Sequence, residues 1–480
     1  MKYDHYDLIV VGTGFASSFF LKKYLSKSSS QNKKILVLEK GYFYPHAERL
    51  KVEKGLPSVY QKYASPWQDN IINLNNAKVW QFTTAHGGSS NCWWGCTPRF
   101  MPSDFKLKSL YGIAQDWPVS YDELDPYYYE AEEIMLVSGP ENTPFPRKGK
   151  YPLPPHTFSL VDKILHKKYG NQYISQPTAR ASKQTPHRNG CMALSTCHTC
   201  PVNAKFTIEN GNIGVYDDER VEVEYGCAVY SLEIANDVVQ KVLFQKDGKD
   251  LSARAEVVAL GANPFFNSNI LLNAGDKNPL TGKGIGEQLG MQVQIYLDDI
   301  QNVGGSSWVN ANGYMFYDGD HRKNFAACLI EVNNAPYYIR VERGKHLNVA
   351  SFRLVFEDLP INANHVATSS NKLIPEIHFK ERSDYALKAI ENMKLKLPEV
   401  LSCLPVEKII YQGIEPNEGH IIGGTRMSEN KTDGVVDKHM IHHQYRNLFV
   451  LGAGAFTTYG PSNPTLTLSA LSLFAADQTF

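Results

Sequence analysis

An apolar run of strand length, Asp7-Leu8-Ile9-Val10-Val11, opens the chain. Gly12-Thr13-Gly14 ends it, and Phe15-Ala16-Ser17-Ser18-Phe19-Phe20-Leu21 follows with the small-then-apolar pattern of a helix. A second strand, Lys34-Ile35-Leu36-Val37-Leu38, is closed by Glu39. The pattern predicts a βαβ unit of dinucleotide-binding size. Glycines at 12 and 14 let a pyrophosphate approach the helix N-terminus, and Glu39 is placed to accept from ribose hydroxyls. Ser17 stands where the fingerprint has its third glycine, and a side chain this small still permits close helix-strand packing. A glycine turn without a ligand is the competing reading; the acid closing the second strand favours the nucleotide.

Between 42 and 80 no periodicity holds, and the segment reads as an excursion rather than core. Residues 85–96 set small side chains beside Trp93 and Trp94, a loop that either brings backbone against a flat ligand or is a tight turn with Trp packing. Ser120 and Glu123 have capping-box spacing and predict a helix within 116–133. The proline-rich stretch 139–156 reads as an extended surface loop. Short strands are predicted around 220–260, ending in a buried strand, the Gly261-Ala262 turn and a helix over 266–273. Segments 293–300, 325–342, 349–357 and 373–380 predict a largely antiparallel second domain.

The C-terminal region is dense in special geometry. Gly419-His420-Ile421-Ile422-Gly423-Gly424 and Gly452-Ala453-Gly454 precede Asn463-Pro464-Thr465, which opens an apolar helix whose N-terminus can face an electron-rich group. Alcohol oxidation needs a base to take the hydroxyl proton while hydride leaves carbon. A neutral His420 with an Asn463 amide clamp would supply it. A structural histidine is the plainer reading of His420 taken alone.

Composition narrows the classes. In 480 residues, 49 Lys and Arg balance 49 Asp and Glu, which argues against electrostatic capture of nucleic acid or of an acidic membrane surface. With 42% hydrophobic residues the chain has an ordinary globular composition, and no uncharged apolar stretch is long enough to span a membrane. With the apolar run starting at Leu8, no signal peptide is expected. Eight cysteines are too few for a disulfide scaffold, and the spacing of Cys191, Cys197 and Cys200 suggests reduced thiols, so a cytoplasmic location is expected.

Taken together, Gly12-Thr13-Gly14 with Glu39, the Gly87-Gly88-Ser89-Ser90 loop, Asp116-Trp117-Pro118, Leu260-Gly261-Ala262, Phe356-Glu357-Asp358-Leu359-Pro360 and the C-terminal motifs resemble the glucose-methanol-choline family of FAD-dependent oxidoreductases over nearly the whole chain. Trp93-Trp94-Gly95 and Tyr459-Gly460 through Asn463-Pro464-Thr465 are most similar to its pyranose oxidase and bacterial FAD-sugar dehydrogenase branch. The resemblance implies an α/β fold: a Rossmann-like FAD-binding domain over 1–290 and 415–480, with an inserted substrate domain over 291–414 built on a mainly antiparallel sheet. It implies that His420 is the catalytic base, Asn463 its partner, and a secondary hydroxyl of a sugar or glycoside the reductant. The FAD cradle falls on Gly12, Gly14, Phe15, Ala16 and Glu39; on Gly87, Gly88, Ser89, Asn91 and Cys92; on Val229 and Gly261; and on Gly454, Ala455, Pro464 and Thr465.

Two departures from the family pattern bear on cofactors. Pyranose oxidases attach flavin through a histidine in the glycine-serine loop, and Cys92 stands at the matching position, with non-covalent FAD as the default. Bacterial FAD-sugar dehydrogenases carry a cysteine group ending in Cys-Pro that holds an iron-sulfur cluster, and Cys191, Cys197 and Cys200 before Pro201 resemble it. Zinc with His198 or His187 as a further ligand, and unliganded thiols, are the rival readings. A cluster would direct electrons to a redox protein; without one, oxygen or a quinone is the acceptor. A flavin-containing lyase or isomerase, oxidation of a non-sugar alcohol, a non-catalytic flavin protein and export with a partner subunit are the alternatives.

Overall fold

Five parallel strands form the first sheet, in the order Leu448–Val450, Ala255–Leu260, Tyr6–Val11, Ile35–Glu39, Val221–Tyr225. The computed structural model describes residues 2, 4–58, 67–75, 78–306, 308–334 and 339–480. The central strand lies buried on both faces, with Leu8, Ile9 and Val10 fully inaccessible, as a parallel sheet covered by helices requires. Helices Phe15–Leu25 and Thr465–Thr479 pack together on this sheet. They are rich in Ala and Ser, which allow close approach. The hydroxyls of Ser469 and Ser472 stay satisfied by donating to the carbonyls of Thr465 and Leu468. Phe19, Phe20, Leu466 and Leu471 are fully buried, each contributing about 1.5–3 kcal/mol.

The second sheet has six antiparallel strands in the order Val406–Ile414, Leu289–Leu297, Val349–Phe356, Cys328–Asn333, Val309–Phe316, Tyr173–Ser175. Alternation decides its two faces. Leu289, Met291, Val293 and Ile295 join Phe352, Leu354 and Ile330 against helix Asp384–Val400 in one apolar core. The intervening Gln292, Arg353 and Glu331 point the other way, towards the parallel sheet and the cavity described below.

The α/β reading, with parallel and antiparallel sheets, holds. The helix after Ser120 runs Tyr121–Met135, and its capping box is complete: Ser120 Oγ accepts from Glu123 N at 3.2 Å and Ser120 N donates to Glu123 Oε2 at 2.9 Å. Other expectations need correction. The strands Val309–Phe316 and Val406–Ile414 were not read from the pattern, and Glu376–His378 pairs with His365–Ala367 and Ile72–Asn73 in a separate small sheet. Of the strand expected over 325–342, Cys328–Asn333 forms, while 335–338 lie outside the described residues. The 42–80 segment is not all excursion, since Trp80 is fully buried against Phe265 and Phe379; 59–66 and 76–77 lie outside the described residues. The proline-rich 139–156 stretch lacks a strand ladder but is no mere surface loop. It buries Phe145, Tyr151 and Leu153, and Arg147 stacks 3.7 Å from the Tyr151 ring centroid. No helix among the described residues is long and apolar enough to cross a membrane.

Candidate active site

A cavity of about 580 Å³ runs from the ends of the first parallel strands to the polar face of the antiparallel sheet. Val11 and Gly12 line one end with Glu39, while Glu331 and Arg353 line the other. Two uncapped helix N-termini open onto it. Phe15–Leu25 begins at Gly14 with no acidic residue in its first turn, and Thr465–Thr479 begins at Pro464. Both present positive dipole ends to whatever occupies the space.

His420 sits at the junction of the two sheets. Gly286 and Ile422 exchange two backbone hydrogen bonds, at 3.0 Å each, which zips the His420 segment to the turn preceding strand Leu289–Leu297. Gly423, at φ +87°, lies so close to Gly284 that a Cβ would collide with its carbonyl, which explains the glycine after His420-Ile421-Ile422. That turn supplies two side chains to the histidine. Glu287 Oε2 accepts from the His420 backbone N at 3.3 Å, and Gln288 Oε1 lies 3.1 Å from the ring Nδ1.

Gln288 fixes the tautomer. Its Nε2 donates to Gly460 O at 2.8 Å and to Ser462 O at 3.0 Å, so its Oε1 is the end that faces His420 and can only accept. The proton of the neutral imidazole therefore stays on Nδ1, and Nε2 keeps a lone pair. Asn463 Nδ2 stands 3.5 Å from that Nε2, and both residues line the cavity. Burial, reinforced by Arg353 and Lys78, drives the His420 pKa down to about 3, so the ring is neutral at ordinary pH. Each cation is held by its own carboxylate. Lys78 pairs with Glu287, and Arg353 pairs with Glu418 through bonds of 2.9 and 2.8 Å. Breaking either buried pair by removing one partner would cost about 3–5 kcal/mol.

Residues 377–472 match the GMC oxidoreductase family model for its C-terminal domain. The chain is 27% identical to the fructose dehydrogenase large subunit of Gluconobacter japonicus, covering 98% of this chain and 97% of that one. The chain carries a GMC oxidoreductase C-terminal domain. It is also 22% identical to the paromamine 6'-oxidase of Streptomyces fradiae, over 98% of this chain and 90% of that one. Its fold is that of the pyridoxine 4-oxidase from Mesorbium loti, with a TM-score of 0.69 at 15% identity over 98% of this chain and 99% of that chain. It is an FAD-dependent oxidoreductase acting on CH–OH donors.

The cavity fits FAD. A Cβ on Gly12, at φ +87°, would stand 2.7 Å from Gly261 O, whereas one on Gly14 would meet nothing within 4 Å; the turn is tight behind and open in front. Glu39 is buried and accepts from Thr13 N at 2.9 Å, Thr13 Oγ1 at 2.7 Å and Gly41 N at 2.7 Å. A carboxylate has about four acceptor sites, so one remains for a ribose hydroxyl. Phe15, Ala16, Gly88, Ser89, Cys92 and Val229 also line the cavity, as do Gly261, Pro464 and Thr465.

Gly87, Asn91, Gly454 and Ala455 are not brought to the cavity wall and stand behind it. Gly87 N donates to Thr13 Oγ1 at 2.9 Å, and Asn91 Nδ2 donates to His86 O at 2.8 Å. The carbonyls of Gly454 and Ala455 accept from Thr425 N and Met427 N, at 3.0 and 2.8 Å, and so hold the segment that follows His420. Cys92 Sγ donates to Ser89 O at 3.6 Å.

The iron-sulfur and zinc readings find no support. Among the described residues no three His, Cys, Asp or Glu side chains stand together as a metal site. Cys197 Sγ faces Arg180 Nη1 at 3.8 Å, and Cys200 Sγ accepts from Ala204 N at 3.2 Å. His198 pairs with Glu53, and His187 faces Asn212 at 3.1 Å. Sequence reasoning missed Lys78, Glu287, Gln288 and Arg353, the groups that hold His420 and set its charge.

Proposed function

We propose that the chain oxidises a secondary hydroxyl of a sugar or glycoside to the ketone. Two relatives whose names specify fructose and paromamine as donors support the substrate class. The observation that carries the chemistry is the Nε2 lone pair of His420, held by Gln288 beside Asn463 at the cavity surface. A carbinol placed there gives its hydroxyl proton to Nε2 while the carbon loses hydride, and the Asn463 amide hydrogen-bonds the oxygen as charge develops on it. When bound, FAD supplies the two-electron acceptor for that hydride. His420 begins neutral, so proton acceptance needs no prior ionisation.

The test is anaerobic mixing of the purified holoprotein with D-fructose and a panel of free sugars and glycosides. Bleaching of the flavin bands, with ketone formed in equal amount, is expected for at least one donor. A flavin that stays oxidised across the panel would sink the proposal, and isomerised sugar under those conditions would point to redox-neutral chemistry.

Gln288→Leu tests the tautomer argument. The change strands a buried imidazole N–H, costing about 1–3 kcal/mol and freeing the ring to place its proton on Nε2. A fall of about 10–100-fold in kcat is expected in stopped-flow flavin reduction, with FAD content unchanged.

A further inference from the structure

The wall of the cavity beyond His420 is a sheet face whose polarity is out of keeping with its burial. Register sets Gln292, Arg353, Glu331 and Asn312 side by side on four neighbouring strands. Polar positions of an alternating antiparallel strand ordinarily face water. Here Gln292 is 1%, Asn312 0% and Glu331 5% exposed. Arg353 is committed to Glu418, and Gln292 Nε2 donates to Ser351 and to Phe352 O.

Glu331 is not so committed. Its Oε1 has no partner, and the residue lines the cavity together with His420 and Asn463. Burial pushes its pKa up to about 7, with Glu418 adding to the rise and Arg353 and Arg180 opposing it. A buried acceptor left unmet costs free energy that a ligand's donor would recover.

We propose that Glu331 is a specificity-determining residue, whose Oε1 accepts a hydrogen bond from a hydroxyl on the carbon next to the one oxidised, selecting vicinal diols over isolated alcohols. The inference rests on the placement of the reacting carbinol at His420 argued above. Asn463 Nδ2 stands 3.5 Å from His420 Nε2, and the same side chain is near enough to Glu331 to oppose the rise of its pKa. Two acceptors that neighbour one amide on a single cavity wall lie close enough for adjacent hydroxyls of a single molecule to reach both. A sugar ring offers such pairs, and a simple alcohol offers one donor only.

The test compares trans-1,2-cyclohexanediol with cyclohexanol on the FAD-loaded wild type, Glu331→Leu and Glu331→Gln. Glu331→Leu is expected to lower kcat/KM for the diol by about 10–100-fold, chiefly through KM, and to change cyclohexanol by less than about threefold. Glu331→Gln keeps a carbonyl acceptor and should recover most of the loss. Equal losses on the two substrates, or none on either, overturn the inference. Calorimetric binding to the wild-type holoenzyme needs neither turnover nor a variant. The diol should bind at least about tenfold more tightly than cyclohexanol, and equal affinities or no binding overturn the inference. A diol that binds tightly without reducing the flavin leaves this inference standing and sinks the oxidation proposed above.

Discussion

Replacing His420 by alanine should lower the rate constant for flavin reduction by about 10³-fold, within the 10²–10⁴ range of a lost general base, while the purified protein retains its FAD. The split follows from position. His420 touches the cavity at the junction of the sheets, while the N-terminal turn and Glu39 lie at its other end. Gln288 stays anchored to Gly460 and Ser462 without it. Because burial holds the ring's pKa at about 3, the imidazole is deprotonated from about pH 5 upward. The variant's pH profile over that range should therefore lie parallel to the wild type's, displaced downward, with no limb removed. Added imidazole should restore part of the rate, since the deleted side chain leaves room beside Asn463. A loss below about tenfold in stopped-flow reduction would return His420 to the class of structural histidines.

The parts of this fold legible from sequence are those whose cause is local. The strand, glycine turn and helix at 6–25 are dictated by neighbouring residues, as is the Ser120 cap, and each forms as the pattern demands. The support of His420 is not local. Gln288 and His420 are 132 positions apart, and Lys78 and Glu287 are separated by 209. Nothing beside a lone glutamine marks it as the group that fixes a tautomer. The strands at 289–297 and 349–356 alternate apolar with polar residues, which reads as a sheet with one wet face. Only the closure of the parallel sheet's elements over that face buries Gln292 and Glu331 and turns ordinary alternation into a buried polar wall. The cysteine spacing failed in the opposite sense. Cys191, Cys197 and Cys200 are close in sequence, yet the loop directs Cys197 to Arg180 and Cys200 to a backbone amide.

The other large effect is expected at the two fingerprint glycines, and they should part company. Gly12→Ala places a Cβ 2.7 Å from the Gly261 carbonyl oxygen at a φ of +87°. The contact is backbone on backbone, so neither side can yield by a rotamer change, and the left-handed conformation alone costs about 1–2 kcal/mol for a residue with a side chain. The turn must move away from Gly261, carrying Thr13 and its bonds to Glu39 with it. Purified Gly12→Ala should hold less than about a tenth of the wild-type flavin and melt at a lower temperature even as apoprotein. Gly14 adopts φ −74°, open to any residue, and a Cβ there meets no protein atom within 4 Å. Gly14→Ala should thus leave the apoprotein's melting temperature within about 2 °C of wild type, because no contact is lost and no strain added. It should still weaken FAD binding, because the methyl projects into the space in front of the Phe15–Leu25 helix where the pyrophosphate belongs. Flavin absorbance per chain and apoprotein melting, measured together, separate the two. Full flavin occupancy in Gly14→Ala would show that the cofactor's phosphates do not approach this turn.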